Sequence, residues 1–151
     1  MRVLGGLEGH RMLDSPSWVV ALLRQPWVML TVRIGLVSAY FIGGVAKLLH
    51  FDAAAAEQVH FGLHPGWLWA SIAIFVELVG SLCIIFARFT WLAAGALAAL
   101  TLVAMFVAND FWRLEGAAHF IALNSFFEHL GLIAAFVMVT RLVDVGRRSS
   151  E

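Results

Sequence analysis

Residues 27–49 read WVMLTVRIGLVSAYFIGGVAKLL, an apolar run that nonetheless carries Arg33, Tyr40 and Lys47. A membrane-spanning helix needs about 20 mostly apolar residues. Three further runs meet this requirement, at 66–88, 90–109 and 121–142. Hydrophobic residues make up 62% of the 151-residue chain, well above the roughly 45–50% of a soluble domain. The pattern therefore predicts an all-α integral membrane protein, a bundle of four transmembrane helices.

Tryptophan and arginine predict how the spans are arranged in the membrane. Tryptophan prefers the headgroup level, and five tryptophans lie at or just beyond a span end: Trp27, Trp67, Trp69, Trp91 and Trp112. Seven arginines fall on the side that carries both termini: Arg2, Arg11, Arg24, Arg88, Arg141, Arg147 and Arg148. By the positive-inside rule, both termini are predicted to be cytoplasmic. Residues 50–65 and 110–120 then form the two outer loops, and Arg88–Phe89–Thr90 is a tight hairpin on the cytoplasmic side.

A separate short helix is predicted before the first span. Residues 17–25 (SWVVALLRQ) are too short to cross a bilayer, and they are followed by Pro26, which interrupts a helix. We expect an amphipathic helix that lies in the membrane interface. The predicted organisation is a cytoplasmic and interfacial segment at 1–26, a four-helix transmembrane domain at 27–143 and a cytoplasmic tail at 144–151.

Four charged side chains lie well inside the spans, away from the Arg88 turn and the C-terminal Arg141: Arg33, Lys47, Glu77 and Glu128. A charge at membrane depth costs from about 2.5 to over 10 kcal/mol, so such groups pair, line a wet cavity or take part in chemistry. At 1.5 Å per residue, Glu77 falls near the middle of its span and Arg33 roughly 9 Å from the cytoplasmic end. Lys47 and Glu128 both fall in the outer half. The predicted structural ion pairs are therefore Arg33–Glu77 and Lys47–Glu128.

Lys47, Tyr40, Glu128 and His129 form the predicted ligand-binding set on the outer side. A quinone suits this set, because its ring and tail need apolar walls while its two oxygens need hydrogen-bond donors. Lys47, Tyr40 or a protonated His129 would donate, and Glu128 would exchange the proton that accompanies reduction. The structural alternative is that a lysine–glutamate pair simply holds two helices together.

Other chemistry has little support in the sequence. There is no Cys-x-x-Cys, His-Glu-x-x-His, phosphate loop or nucleophile elbow, so neither a metal site nor an independent catalytic centre is predicted. The formal net charge is zero, which gives no reason to expect nucleic acid as a partner. Cys83 is the single cysteine, so no internal disulfide is expected.

These residues together resemble the DoxX family of small four-helix bacterial membrane proteins. The resemblance covers about 27–143 and rests on ordered short motifs: Arg33–Ile34–Gly35, Gly43–Gly44–x–x–Lys47, Glu77–Leu78–Val79–Gly80, the Arg88 turn, Asn109–Asp110–Phe111–Trp112 and Phe126–Phe127–Glu128–His129–Leu130. The family's namesake is linked to terminal quinol oxidase and thiosulfate:quinone oxidoreductase complexes. The resemblance implies an inner-membrane subunit or accessory protein of a larger respiratory or redox complex, surrounded by lipid and other membrane subunits. Such a subunit would contribute to a quinone site, and no other cofactor is expected. Any enzymatic role would belong to that assembly.

Two other functions remain open. The interior charges would also serve a stand-alone protein that binds or transports a small molecule or conducts protons. A haem protein is the third alternative, because five of the six histidines fall on the outer side: His50, His60, His64, His119 and His129. A visible absorption spectrum tests for haem, and co-purification in mild detergent separates a complex subunit from a stand-alone protein.

Overall fold

The computed structural model describes residues 16–148. In chain order the helices are α1 (Ser17–Leu23), α2 (Pro26–Leu49), α3 (Phe51–His60), α4 (Gly66–Ile85), α5 (Thr90–Ala108) and α6 (Gly116–Arg148), with a 3₁₀ turn at Phe111–Arg113. Four of these, α2, α4, α5 and α6, are long and apolar enough to cross a membrane. The predicted four-helix transmembrane fold is confirmed. Residues 1–15 and 149–151, parts of the predicted terminal segments, lie outside the described residues.

The predicted short helix before the first span is present as α1. It begins after Pro16 and ends at Leu23, and α2 starts two residues later, at Pro26. Proline is favoured at the first position of a helix, because its missing N–H has no intrahelical partner there. The chain divides into two compact units after Val32, and α1 belongs to the first of them. An interfacial position for α1 stays a prediction.

The segment 50–65 was expected to be a loop, but it contains the helix α3. It contains a run of four alanines, and alanine has the highest helix propensity of any residue type. Helix α3 packs against α4, and their backbones meet at Gly66, where a Cβ atom would collide with the carbonyl oxygen of Ala55. Glycine at this position therefore permits the close approach of the two helices.

Helices α4 and α5 are joined by the tight turn that the sequence predicts. The N–H of Ala87 donates to the carbonyl of Ile84 at 3.1 Å, and the N–H of Arg88 donates to that of Cys83 at 2.9 Å. Ala87 is left-handed, with φ at 55°. These two bonds and the left-handed residue form a Schellman ending to α4. The chain thus reverses within a few residues, and α5 packs back on α4.

The second unit, from Arg33 onward, holds the core. Helix α5 packs on both α4 and α6. The main buried cluster draws on all four spanning helices: Val37, Ile84, Ala93, Ala94, Leu97, Phe136 and Val139. The hydroxyl of Ser81 donates to the carbonyl of Val37 at 3.5 Å, which sets the level of α2 against α4.

Candidate functional site

An ion pair between α2 and α4 is the most polar feature inside the bundle. The Nζ of Lys47 lies 2.5 Å from Oε1 of Glu77, and their side chains are 26% and 9% exposed. The second carboxylate oxygen of Glu77, Oε2, is buried and has no hydrogen-bond partner in the described part of the chain. A buried charge without its partner is strongly destabilising. The Lys47–Glu77 pair is therefore a constraint on how α2 and α4 pack.

The register of this pair depends on Gly44. A Cβ atom at Gly44 would lie 2.9 Å from Cδ2 of Leu78 and 3.1 Å from Cβ of Glu77, so even a methyl group there would force the Leu78 side chain or the helix to shift. Helical side chains lean toward the N-terminus of their helix. Lys47, one turn after Gly43, therefore reaches back along α2, and its Nζ would lie 3.7 Å from a Cβ atom at Gly43. This brings the ammonium group to the level of Glu77.

The partner that the sequence predicted for Glu77 was Arg33, and the structure pairs Glu77 with Lys47 instead. Arg33 lies eleven residues before Gly44, or roughly 16 Å along the helix axis. The predicted pair assumed that the ends of the two spans lie at equal levels in the membrane. The contact at Gly44 instead shifts α2 relative to α4 along the helix axes. Arg33 is half-buried, and its Nε has no hydrogen-bond partner among residues 16–148.

A cavity of about 490 Å³ lies beside the ion pair. It runs between α4 and α5, and α3 with the segment after it closes one side. Its walls are mostly apolar: Phe61, Leu63, Trp69, Ile72, Ala73, Val76, Ala96, Ala99, Leu100, Val103, Ala104, Val107 and Ala108. Lys47, Glu57, Gln58 and Glu77 supply its polar groups. A pocket of this volume, apolar with a few polar groups, is typical of small-molecule sites.

The shape of the cavity follows the helices. On α4 it extends from Trp69 to Glu77, roughly 12 Å along the axis. Ile72 and Val103 line it and are both 41% exposed, so the wall opens sideways between α4 and α5. In a membrane this opening faces the acyl chains. The ion pair lies at the inner end of this elongated, mostly apolar space.

Tyr40 was predicted to belong to the ligand set, but its hydroxyl group is engaged in a hydrogen bond between helices. Its hydroxyl lies 2.6 Å from Oγ1 of Thr101, and Thr101 donates to the carbonyl of Leu97 at 2.7 Å. A threonine hydroxyl carries one proton, so Tyr40 is the donor in their bond. The ring of Tyr40 also packs on Phe136, with centroids 5.5 Å apart. Tyr40 thus joins α2 to α5 and α6.

Glu128 and His129 lie away from the cavity. Glu128 is exposed on α6, and the ion pair predicted between it and Lys47 is replaced by the Lys47–Glu77 pair. His129 lies with its Nδ1 2.6 Å from the carbonyl of Ser125, one turn earlier. Neither residue lines the cavity. Of the four predicted ligand residues, the structure places only Lys47 there, and brings Glu77 to it.

Several residues of the cavity and its surroundings were missed by the sequence analysis. Thr101 was not singled out in the sequence, yet it is buried and bonds Tyr40. Glu57 and Gln58 were assigned to a loop, but α3 carries them to the cavity. The alanine run 53–56 was the available signal for α3. No comparable signal identifies the cavity, because its two walls come from separate helices.

Comparison with known proteins agrees with this architecture. A family model described as DoxX matches residues 28–110, more than half of the chain. The chain is also similar to the inner membrane protein YphA of Escherichia coli (strain K12), at 24% identity over 115 residues, which cover 76% of this chain and 82% of that protein. No solved structure matches the chain. The family match includes both residues of the ion pair and the whole of α4 and α5.

Proposed function

Since the chain belongs to the DoxX family of membrane proteins, we propose that it binds a quinone-type molecule in the α4–α5 cavity and acts as a subunit or accessory protein of a larger redox complex in the bacterial inner membrane. The observation that carries this proposal is the position of the Lys47–Glu77 pair at the inner end of an apolar cavity of about 490 Å³. The exposed wall residues Ile72 and Val103 would let an isoprenoid tail continue into the lipid.

The charge of the site favours a neutral headgroup. Lys47 and Glu77 compensate each other, and Glu57 adds a negative charge to the lining. An anionic ligand would therefore meet a lining whose net charge is negative and would be repelled by it. A quinone carbonyl is neutral and needs only a hydrogen-bond donor. This argument separates a quinone from fatty acids and phosphorylated substrates.

Lys47 is the donor in this proposal. An ammonium group has three N–H donors, and one of them bonds Glu77. The side chain of Lys47 is 26% exposed, so a second N–H can reach a carbonyl oxygen in the cavity. Glu77 then holds Lys47 in position. The bound quinone would supply the capacity to accept and release electrons.

Membership of a redox complex rests on the resemblance to the family's namesake, and the inner-membrane location is supported by the name of the Escherichia coli relative. The alternative is a stand-alone protein that uses the same cavity for another neutral amphiphile. Purification in mild detergent distinguishes the two. A redox complex predicts that other membrane subunits co-purify in fixed ratio, whereas a stand-alone protein predicts this chain by itself.

The ligand is tested by extraction. Quinone bound to the natively purified protein is extracted, separated by chromatography and expressed per mole of protein. We expect Val103→Phe, which fills the cavity, to lower quinone content several-fold. Leu102→Phe is the matched control, because Leu102 is 46% exposed on the same helix but does not line the cavity.

Lys47→Met tests the headgroup contact in the same assay and should also lower quinone content. If all three variants fold and carry as much quinone as the unmodified protein, the cavity does not bind quinone. Phospholipid recovered in place of quinone, and lost in Val103→Phe, would assign the cavity to an acyl chain and would likewise contradict the proposal.

A further inference from the structure

Helix α6 presents two polar side chains on the outside of the bundle. Asn124 and Glu128 are one turn apart and both exposed. Neither has a hydrogen bond or an ion pair within the described part of the chain. The buried residues of α6 lie elsewhere on the helix: Ala122, Phe136, Val139 and Val143. Asn124 and Glu128 therefore face whatever lies beside α6 in the membrane.

These two residues begin a regular stripe. Steps of four and three residues continue along α6 to its other end, and we call this stripe the α6 seam: Asn124, Glu128, Gly131, Ala135, Met138 and Leu142. All six are exposed except Ala135, which is half-buried. A repeat of 3.5 residues is the pattern with which two helices pack along their length. The seam therefore has the spacing of a helix-packing surface, and its polar residues Asn124 and Glu128 distinguish it from the rest of the exposed face of α6.

The middle of the α6 seam is suited to close contact. Gly131 has no atom within 4 Å of where its Cβ would be, and Ala135 follows one turn later. Small residues spaced four apart let two transmembrane helices approach closely. Helix α6 also has exposed surface for a partner. In its most apolar stretch 11% of the residues are buried, against 39% in the corresponding stretch of α4.

Lipid cannot cover the polar end of this seam. With 1.5 Å per residue, Glu128 lies roughly 10 Å inside the predicted span 121–142. Acyl chains offer neither a donor for its carboxyl group nor an acceptor for the amide of Asn124. Polar residues at such positions usually face another protein surface or water.

We infer that the α6 seam packs against the same seam of a second copy of this chain, in a two-fold dimer whose axis is normal to the membrane. In a two-fold interface the same patch meets itself, so Asn124 of each copy comes within one turn of Glu128 of the other. The asparagine amide donates and the glutamate carboxyl accepts. Each Asn124 amide can therefore donate to the partner's Glu128, which places two donors beside the two carboxyl groups that face each other across the axis.

Single cysteines test this directly in membranes. Met138→Cys lies in the α6 seam, and Val137→Cys is its matched control, because the two residues are adjacent and 64% and 61% exposed. Both are made in a Cys83→Ser background and oxidised in native membranes. We expect a disulfide-linked dimer of this chain for Met138→Cys, at least five-fold more than for Val137→Cys, and its loss on reduction.

A second variant addresses the interface itself. Gly131→Leu places a large side chain in the middle of the seam and should reduce the Met138→Cys cross-link several-fold, whereas Leu130→Ala beside it should not. Equal cross-linking at positions 137 and 138, or a cross-link of Met138→Cys to a different protein only, would overturn the proposed dimer. Both cysteine variants are read on reducing gels as well, so that poor expression is recognised.

Discussion

Lys47 meets Glu77 in the structure because Gly44 lets α2 lie directly against Leu78 on α4. The 2.5 Å contact between Nζ of Lys47 and Oε1 of Glu77 occurs where a Cβ atom at Gly44 would come within 2.9 Å of a Leu78 methyl group. The glycine and the ion pair are therefore parts of one packing arrangement. The arrangement also places Lys47 in the lining of the cavity.

The first prediction concerns the ion pair. Glu77→Leu should lower the free energy of unfolding by about 3–5 kcal/mol, because it leaves the Lys47 ammonium group uncompensated. Adding Lys47→Met should recover much of this loss, since removing both charges together leaves no unpaired group. Thermal unfolding in detergent measures both variants.

The control for this experiment is Glu57→Gln, which changes an exposed carboxylate on α3 and should leave the melting temperature within about a degree or two, as most surface substitutions do. Strict additivity of the Glu77→Leu and Lys47→Met losses would mean that the two side chains do not interact in the membrane protein.

The second prediction compares neighbouring glycines. Gly44→Ala should destabilise the protein by about 1–3 kcal/mol, because the added methyl group overpacks the contact with Leu78. Gly43→Ala should be tolerated, since its nearest neighbours are 3.7 Å away and alanine favours the helix. Equal melting temperatures for the two variants would show that α2 and α4 are not in close contact at Gly44.

The third prediction concerns Tyr40. Tyr40→Phe removes the donor to Thr101 while keeping the ring against Phe136. The expected loss is about 0.5–1.5 kcal/mol, the usual net value of one hydrogen bond. Adding Thr101→Val should cost little more, because both partners are then apolar. A loss of several kcal/mol for Tyr40→Phe by itself would assign the hydroxyl a further role.

The fourth prediction is the membrane topology. The arginine distribution predicts that both termini are cytoplasmic, so α3 and residue 115 should face the periplasm. Ala56→Cys and Glu115→Cys, each in a Cys83→Ser background, should react with a membrane-impermeant maleimide added to intact spheroplasts. Reaction of both only after the membrane is opened would reverse the orientation.

Much of the fold could be predicted from apolar runs and tryptophan positions, because both depend on the bilayer and not on neighbouring helices. Three predicted spans begin within one residue of their helices, and the fourth, 121–142, lies inside the longer α6. The pairing of charges could not be obtained in the same way. It depends on stagger between helices, which the contact at Gly44 determines to within one turn.

The candidate site was predicted in part for the same reason. Lys47 was selected because it is a charged residue inside the first span, and it does line the cavity. Glu128 and His129 were assigned to the same cluster by depth, but depth says nothing about direction around a helix. The exposed position of Glu128 separates it from Lys47, and α3, hidden in an apparent loop, supplies Glu57 and Gln58 instead.

The most direct test of quinone binding uses the tryptophan in the cavity wall. Trp69 lines the cavity, whereas Trp67, two residues earlier and 59% exposed, does not. A short-chain ubiquinone analogue is titrated into the purified protein in nanodiscs while tryptophan fluorescence is recorded. We expect quenching with a saturable component that persists in Trp67→Phe and disappears in Trp69→Phe. Quenching that rises linearly in all three proteins, or a saturable component that survives in Trp69→Phe, would contradict a quinone site in this cavity.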